Sequence, residues 1–591
     1  MHIRTRAGRH SGRLKLAVPT VAATVLALLG AGLMTSSPAA GEPAPPSPAA
    51  VERPAAPSAA ELRERVAASA AADRQALAPA EFAGGDGPDP AAPMVIGGTP
   101  TPISSAPWMA QLWYIEDQGT PDDASDDTGF LCGGVVIAPT KIATAAHCVK
   151  GFDWEANGTV TTGNASTTPS SGETVSWPYR QWSHPLYKDV QGAADNDIAV
   201  LTLFEPVAAK PLPVMANTDT ALYRAGTQGK VYGWGRTSST SDAGSPNLRS
   251  ATLPIVSDSA CRSAYGSYFV AGHMVCAGVT GSTDAATKGS CNGDSGGPLV
   301  VGGKLAGIVS WGIEDCVGKG AYSVFAKVST YVAAVNARAY DTNLTWDHRA
   351  DLLARHASSG TMYQFASTGG GMTKARYSAG WSDVDLVIQT NLDRDDNIDL
   401  LIRDRDGTLL WRWFNRGTLA WEDRTLATGW GSRKQILAPG DLTGDGRIDI
   451  LSTDSSGGFW LYPGKGDGTF AARSRVGGGG LAYSMVRGNG DLTNDGKADI
   501  VALGGGGKLY VFPGTGKASA PFAPKVLVRT WDAVSALVTT GDFTGDGHAD
   551  VIVRVKTGQL YLYPGTGKAG SGVFGTRKLL GSSANSYDLF G

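Results

Sequence analysis

Two different rhythms of hydrophobic and polar positions divide the chain. Between residues 95 and about 340, short apolar runs rich in β-branched residues recur, such as Gly134-Val135-Val136-Ile137 and Ile198-Ala199-Val200-Leu201-Thr202-Leu203. Turn residues bound each run, so this stretch predicts an all-β unit. An amphipathic segment around Thr330 to Arg338 predicts one helix near its end. From about residue 341 the pattern repeats. The clearest copies are GDLTGDGRIDI at 440–450, GDLTNDGKADI at 490–500 and GDFTGDGHADV at 541–551. A variant, TNLDRDDNIDL, covers 390–400, and a degraded copy, NLTWDHRADL, covers 343–352. Their last aspartates, Asp351, Asp399, Asp449, Asp499 and Asp550, are spaced by 48, 50, 50 and 51 residues. An aromatic turn follows most copies: LYPGKG at 461–466, VFPGTG at 511–516 and LYPGTG at 562–567. A fixed period near 50 residues accommodates four short strands, one propeller blade. Five copies therefore predict a five-bladed β-propeller. The tail GSSANSYDLFG at 581–591 resembles the segment before each motif, which the first copy lacks. The tail is expected to supply that missing strand and close the ring.

The first 94 residues follow neither rhythm. Arg4, Arg6, Arg9, Arg13 and Lys15 precede an uncharged stretch from Leu16 to Met34 and a small-residue exit, Ser36-Ser37-Pro38-Ala39-Ala40. Residues 1–40 are expected to be a secretory signal peptide, which makes the protein secreted and extracellular. An uncleaved anchor is the alternative, since 19 uncharged residues could just span a bilayer. Pro19 and the small-residue exit favour cleavage. No other apolar run is long enough to cross a membrane, so no span is expected after signal removal. Residues 41–94 are rich in alanine and proline and read as propeptide or linker. Within them Ser58-Ala59-Ala60-Glu61 forms a capping box that predicts a solvated helix to about Ala78. The expected organisation is 1–40 signal, 41–94 propeptide or linker, 95–340 first β domain and 341–591 propeller.

Composition sharpens this picture in three ways. Glycine supplies 79 of 591 residues, about twice its usual share, as many tight turns require. The net charge of -3 gives no support for a nucleic-acid partner. The six cysteines, Cys132, Cys148, Cys261, Cys276, Cys291 and Cys316, all fall in the first β domain. An even count in an exported chain implies three disulfides, and 15 pairings are open.

Three short strings in that domain carry chemistry. TAAHC at 144–148 presents His147, NDIAVL at 196–201 presents Asp197, and GDSGGP at 293–298 presents Ser295. A serine hydroxyl is a weak nucleophile. It needs an imidazole to take its proton and a carboxylate to hold that imidazole in the right tautomer. A lone histidine is usually a core residue, and Asp before an apolar run is common. The three together, in this order, are not.

The whole of 95–340 resembles the chymotrypsin/trypsin-like serine proteases. The matching strings include VIGG at 95–98, APWMAQL at 106–112, LCGGVVI at 131–137, TAAHC, NDIAVL, GWG at 233–235, MVCAG at 274–278, SCNGDSGGPLV at 290–300 and VSWG at 309–312. The resemblance implies a double β-barrel with His147, Asp197 and Ser295 in the cleft between the barrels. His147 would act as general base then acid, Asp197 would orient it, and Ser295 would attack the scissile carbonyl. The N–H groups of Gly293 and Ser295 would form the oxyanion hole. The implied disulfides are Cys132–Cys148, Cys261–Cys276 and Cys291–Cys316. Cleavage before Val95 would free an amine to pair with Asp294. Met94 stands where many such proenzymes carry Arg or Lys, which points to removal of 41–94 by a different protease or by self-cleavage. The pocket residues implied are Gly289, Ser310, Gly312 and Gly320. Gly289 occupies the floor position that is Asp in trypsin-like members. A floor without a carboxylate predicts a preference for large apolar or aromatic residues rather than Arg or Lys.

In the repeats, oxygens recur at alternate positions: Asp441, Thr443, Asp445, the Arg447 carbonyl and Asp449. Gly446 permits the sharp turn. Hard oxygen donors at this spacing favour Ca²⁺, as in the opening of an EF-hand loop, although no Glu follows and a strand does. The equivalent sets are Asp491, Thr493, Asp495 and Asp499; Asp542, Thr544, Asp546 and Asp550; and Asn391, Asp393, Asp395 and Asp399. The 343–351 copy carries His348 at the glycine position and is expected to bind no metal. The repeats resemble the FG-GAP/VCBS family, which implies structural calcium and a role in adhesion or ligand binding. The expected protein is thus a secreted serine endopeptidase acting on protein substrates without a catalytic cofactor. Its propeller would dock substrate, glycan or a cell surface, or merely stabilise the enzyme. The alternative is an adhesion or lectin-like protein with a secondary or inactive protease domain.

Overall fold

The computed structural model describes residues 95–591, apart from 118–127, 191–192, 218, 314, 340–342, 346, 396, 416–417, 419 and 532. The expected signal 1–40 and the 41–94 segment with its helix lie outside the described residues.

Two seven-stranded antiparallel sheets build the first domain. The first contains β2 (Met109–Glu116), β3 (Thr128–Ala138), β4 (Lys141–Thr144), β5 (Gly158–Thr162), β6 (Thr174–Ser176), β7 (Pro178–Ser183) and β8 (Ala199–Leu203), in the order β6-β5-β2-β3-β4-β8-β7. The second contains β1 (Thr99–Pro100), β9 (Gln228–Gly233), β10 (Arg249–Val256), β11 (Met274–Ala277), β12 (Pro298–Val301), β13 (Lys304–Trp311) and β14 (Ser323–Lys327). Its order is β1-β10-β9-β12-β13-β14-β11, and β10 also pairs with β11 to close the barrel. Both sheets curl on themselves, so most side chains of a central strand such as β2 are buried. Leu112, Tyr114, Val135, Ile142, Val160, Ile198 and Leu201 fill the first barrel. Val231, Leu253, Val275, Leu299 and Phe325 fill the second. This is the double barrel expected from sequence. Disulfides form between Cys132 and Cys148, Cys261 and Cys276, and Cys291 and Cys316. Each closes a loop of 15 to 25 residues, worth on the order of 3 kcal/mol.

The helix α1 (Asp258–Tyr265) packs beside β11, and α2 (Val328–Ala339) covers the predicted helical segment. Tyr331 and Val335 of α2 join the first-barrel core. Its Val332 and Ala334 also lie against propeller glycines, Gly496 and Gly547, and Ala334 packs with Trp182 and Val200 of the first barrel as well. A helix flanked on both sides is buried nearly all round, and in α2 the buried set includes Ser329 and Arg338 as well as apolar residues.

The second half forms five four-stranded antiparallel sheets, the five expected blades. The second blade, for example, runs Val384–Thr390, Asp399–Asp404, Leu409–Asn415 and Ala420–Ala427. The first blade takes only Leu352–His356, Thr361–Ser367 and Met372–Ser378 from its own repeat. Its fourth strand is Tyr587–Phe590 from the tail, paired Ala354↔Phe590, Arg355↔Leu589 and His356↔Tyr587. Gly591 and Leu353 exchange backbone bonds of 2.8 and 3.0 Å. Arg355 grips Asp588 with two prongs, Nε at 2.9 Å and Nη2 at 2.8 Å. The ring is therefore clasped by strands more than two hundred residues apart in sequence. Deleting 584–591 should abolish a separate cooperative transition of the propeller in calorimetry of the full chain. Arg355→Ala should lower that transition by about 1–3 kcal/mol.

Candidate active site

His147 sits in the turn Ala146–Cys148 that follows β4, and the Cys132–Cys148 disulfide ties this turn to β3. Its backbone N–H donates to Asp197 Oδ1 at 2.9 Å, and its Nδ1 meets Asp197 Oδ2 at 2.8 Å. The Ser310 hydroxyl donates to the same Oδ2 at 2.6 Å. Asp197 is fully buried, which opposes its charge, but the His147 charge and these hydrogen bonds outweigh burial and hold it below the usual carboxylate range. Burial also opposes a charged His147, yet Asp197 raises that imidazole above its ordinary pKa. A carboxylate at Nδ1 selects the Nδ1–H tautomer and leaves the Nε2 lone pair outward as a base. Asp197 is aimed by its neighbour. Asn196 adopts a left-handed φ of 54°, a conformation asparagine tolerates, and its side chain donates to the Leu186 carbonyl at 3.1 Å.

Ser295 lies in the loop that leads into β12. Its carbonyl accepts Gly133 N–H at 2.7 Å, which fastens the loop to β3. A Cβ on Gly296 would come within 2.1 Å of Thr144 Oγ1 and 3.3 Å of Ala145 N, so the Ser295 loop lies against the strand that delivers His147. Among the described residues no hydrogen bond joins Ser295 Oγ to His147; such bonds commonly tighten only when substrate binds. Asp294 is buried, and its Oδ1 and Oδ2 accept Gly235 N–H at 2.8 Å and Cys291 N–H at 2.9 Å. No cationic side chain pairs with it among the described residues, and burial pushes it up to about 7. Val95 and Ile96 are buried as well, and the Ile96 carbonyl accepts Gly289 N–H at 3.1 Å. The string GWG has a plain purpose here. A Cβ at Gly233 would fall 2.1 Å from Asp294 Oδ1, and one at Gly235 would fall 2.6 Å from Asp294 Cγ. Gly293 takes φ 92° beside Gly235, a backbone conformation that suits glycine.

The pocket residues separate. A Cβ on Gly289 would be 2.8 Å from Ser323 Oγ, which itself accepts Ser290 N–H at 2.8 Å. Ser323 on β14 is thus the neighbour of the Gly289 floor, and the sequence pattern did not single it out. Gly312 stands in near-open space, with its nearest neighbour, the Tyr322 carbonyl, 3.9 Å from a built Cβ. A Cβ built on Gly320, in the loop before β14, would meet nothing within 4 Å. The Ser310 hydroxyl, expected in the pocket, is bonded to Asp197 instead.

Residues 95–335 match the trypsin family. Over 238 residues the chain is 38% identical to a trypsin of Saccharopolyspora erythraea, covering 40% of this chain and 94% of that protein. The chain belongs to the trypsin family. It is a chymotrypsin/trypsin-like serine endopeptidase, and its substrates are proteins. Human kallikrein-14 is 34% identical over 241 residues, covering 40% of this chain and 81% of the relative. A solved structure of mouse neuropsin, a serine protease of the limbic system, aligns with a TM-score of 0.33 and 28% identity, covering 40% of this chain and 97% of that one. Residues 391–452 and 491–553 match the FG-GAP-like repeat.

Beside the trypsin-family domain, the 441–449, 491–499 and 542–550 loops share one internal wiring. The first carboxylate gathers the loop: Asp441 Oδ1 and Oδ2 accept Gly444 and Gly446 N–H, each at 2.6 Å. The last carboxylate staples the loop's start to the aromatic turn. Asp449 accepts Leu442 N–H at 2.9 Å and Gly464 N–H at 2.9 Å. Asp499 does the same with Leu492 and Gly514, and Asp550 with Thr544 and Gly565. The repeated proline-glycine turn therefore keeps its offset because its glycine answers the last aspartate. Burial, then neighbouring carboxylates, push Asp399, Asp491 and Asp550 well above the usual range. Asn391 Oδ1, Asp399 Oδ1 and Thr493 Oγ1 are buried oxygens with no hydrogen-bond partner. Crowded carboxylates and orphaned oxygens fit a hard cation in the 391–399 and 491–499 loops. The open 441–449 loop offers the same donor set. In the fifth loop Asp542 is already paired with Arg338.

The Asp294 environment makes a prediction for the chain still joined at Met94–Val95. A carboxyl with a folded pKa of about 7 lies above its unfolded value of about 3.9. The folded chain then holds the extra proton, so stability is lost as pH rises from about 4 to 7. Asp294→Asn should remove that fall. Thermal midpoints of the unprocessed chain should converge at low pH, with the variant more stable at pH 7.5.

Proposed function

We propose that His147, Asp197 and Ser295 form the catalytic triad of a secreted endopeptidase made as a proenzyme. The buried Asp197 carboxylate, bonded twice to His147 and once to Ser310, is the observation that carries this reading. In the reaction Ser295 Oγ attacks the scissile carbonyl carbon while its proton passes to His147 Nε2. The negative oxygen that forms accepts the N–H groups of Gly293 and Ser295, each such donor contributing about 2.7–4 kcal/mol. His147 then gives the proton to the departing amine, leaving an acyl-enzyme. Water repeats the sequence, with His147 taking its proton, and frees the acid and Ser295.

The proposed layout is a signal at 1–40, a propeptide at 41–94, the protease domain at 95–340 and the propeller at 341–591. Three disulfides and the basic, apolar, small-residue start support export. Activation by cleavage before Val95 is supported by a buried Asp294 that meets no cationic side chain among the described residues. The new ammonium of Val95 would supply a counter-charge, and removing one partner of such a pair costs about 3–5 kcal/mol. At the specificity pocket, a Gly289 floor beside the Ser323 hydroxyl offers no carboxylate to a substrate Arg or Lys, and the Gly312 wall admits a ring. We assign a preference for large apolar or aromatic residues. In the propeller, the 391–399, 441–449 and 491–499 loops would hold Ca²⁺, which supplies positive charge to buried carboxylates and takes no part in peptide hydrolysis. The propeller itself is assigned to docking on protein substrate, glycan or a cell surface.

Casein hydrolysis by the processed protein should be lost in Ser295→Ala, with an organophosphonate labelling only the wild type. Undiminished hydrolysis by the variant would overturn Ser295 as the nucleophile, and a processed wild type that neither cleaves casein nor takes the label would leave an adhesion protein as the better description. Matched peptide substrates should be cleaved faster with Phe than with Arg before the scissile bond, by at least tenfold in kcat/KM. A preference for Arg would overturn the pocket assignment.

A further inference from the structure

The calcium-loop rim of the propeller carries a passenger. Helix α2 of the protease domain lies on it. Ala333 N–H donates to Asn494 Oδ1 and Asn336 Nδ2 to the Gly496 carbonyl, both at 3.2 Å, in the fourth loop. Arg338 Nη1 donates to Asp542 Oδ2 at 3.1 Å in the fifth, and both side chains are 3% exposed. The guanidinium also stacks over Trp182, 4.9 Å from the ring centre. In the first loop His348 takes the glycine position with φ 66°, and its Nε2 meets the Gln181 carbonyl of β7 at 2.9 Å. The first and fifth loops are neighbours where the ring closes, since Ala350 N–H donates to the Asp542 carbonyl at 2.8 Å.

The oxygens of these loops differ. Buried oxygens without a partner occur in the second and fourth loops, at Asn391, Asp399 and Thr493. In the fifth loop no side-chain oxygen is left so among the described residues. Both oxygens of Asp542 are occupied: Oδ1 accepts Gly545 and Asp546 N–H, and Oδ2 accepts Gly547 N–H and Arg338. The Arg338 guanidinium places a cationic, donor-only group against the leading carboxylate. A divalent ion arriving there would meet a fixed like charge in a low-dielectric interior.

We propose that the fifth loop, despite its complete motif Asp542, Thr544, Asp546 and Asp550, is not a calcium site. Arg338 does there what a cation would do. The first, fourth and fifth loops seat the protease domain, and three loops, 391–399, 441–449 and 491–499, hold calcium. The assignment rests on the calcium reading of those three loops.

Calorimetric Ca²⁺ titration of the metal-stripped full chain tests it, with bound metal per chain measured independently by elemental analysis. The expected count is three. Asp491→Asn should reduce it to two and Asp542→Asn should leave it at three. Arg338→Met should expose a fourth site. A wild-type count of four, or one ion lost in Asp542→Asn, overturns the assignment while leaving the calcium reading intact. A wild-type count of zero, with no effect of Asp491→Asn, overturns both.

Discussion

A buried carboxylate with every bond filled is the constraint around which the protease half is arranged. Asp197 cannot remain charged in an apolar interior unless donors meet it on all sides, and three do: the His147 backbone, the His147 ring and Ser310. The three donors come from two separate stretches of chain. The turn after β4 must present two of them at once, and β13 must bring the third. The Cys132–Cys148 disulfide, the left-handed Asn196 and the apolar face of α2 all serve to keep those stretches in register. The imidazole's tautomer is a by-product of satisfying the aspartate.

A second buried carboxylate works by the opposite logic. Asp294 receives two backbone donors and, among the described residues, no cation, in a niche that exists because residues 233 and 235 have no side chains. Asp197 is held charged by its surroundings, whereas Asp294 is driven toward neutrality by them. The same residue type thus occupies two states within one domain, set by the company each keeps.

Much of this was legible in the amino-acid order. The all-β first domain, the five blades, the closing tail strand and the α2 position all follow from local patterns, because strand periodicity and repeat spacing are written into neighbouring residues, whereas the double barrel is what the resemblance to the serine proteases implies. What stayed hidden involves partners distant in sequence. Ser310 sits in a string that suggested a pocket, and only the fold shows its hydroxyl turned to Asp197. Ser323 carried no motif, yet it lies against Gly289. Nor could spacing reveal that a complete acidic loop at 542–550 would find an arginine from another domain already on its first aspartate.

The pairing of Tyr587–Phe590 with Leu352–His356 has a temporal side. Chains fold from the amino terminus as they emerge, and a contact spanning so much sequence is slow to form. The barrels and four of the blades can consolidate early, but the first blade must wait with an unpaired strand edge until the final segment arrives. For that interval the nascent ring is an open arc with one sticky side, so conditions that delay its last step favour strand exchange between molecules.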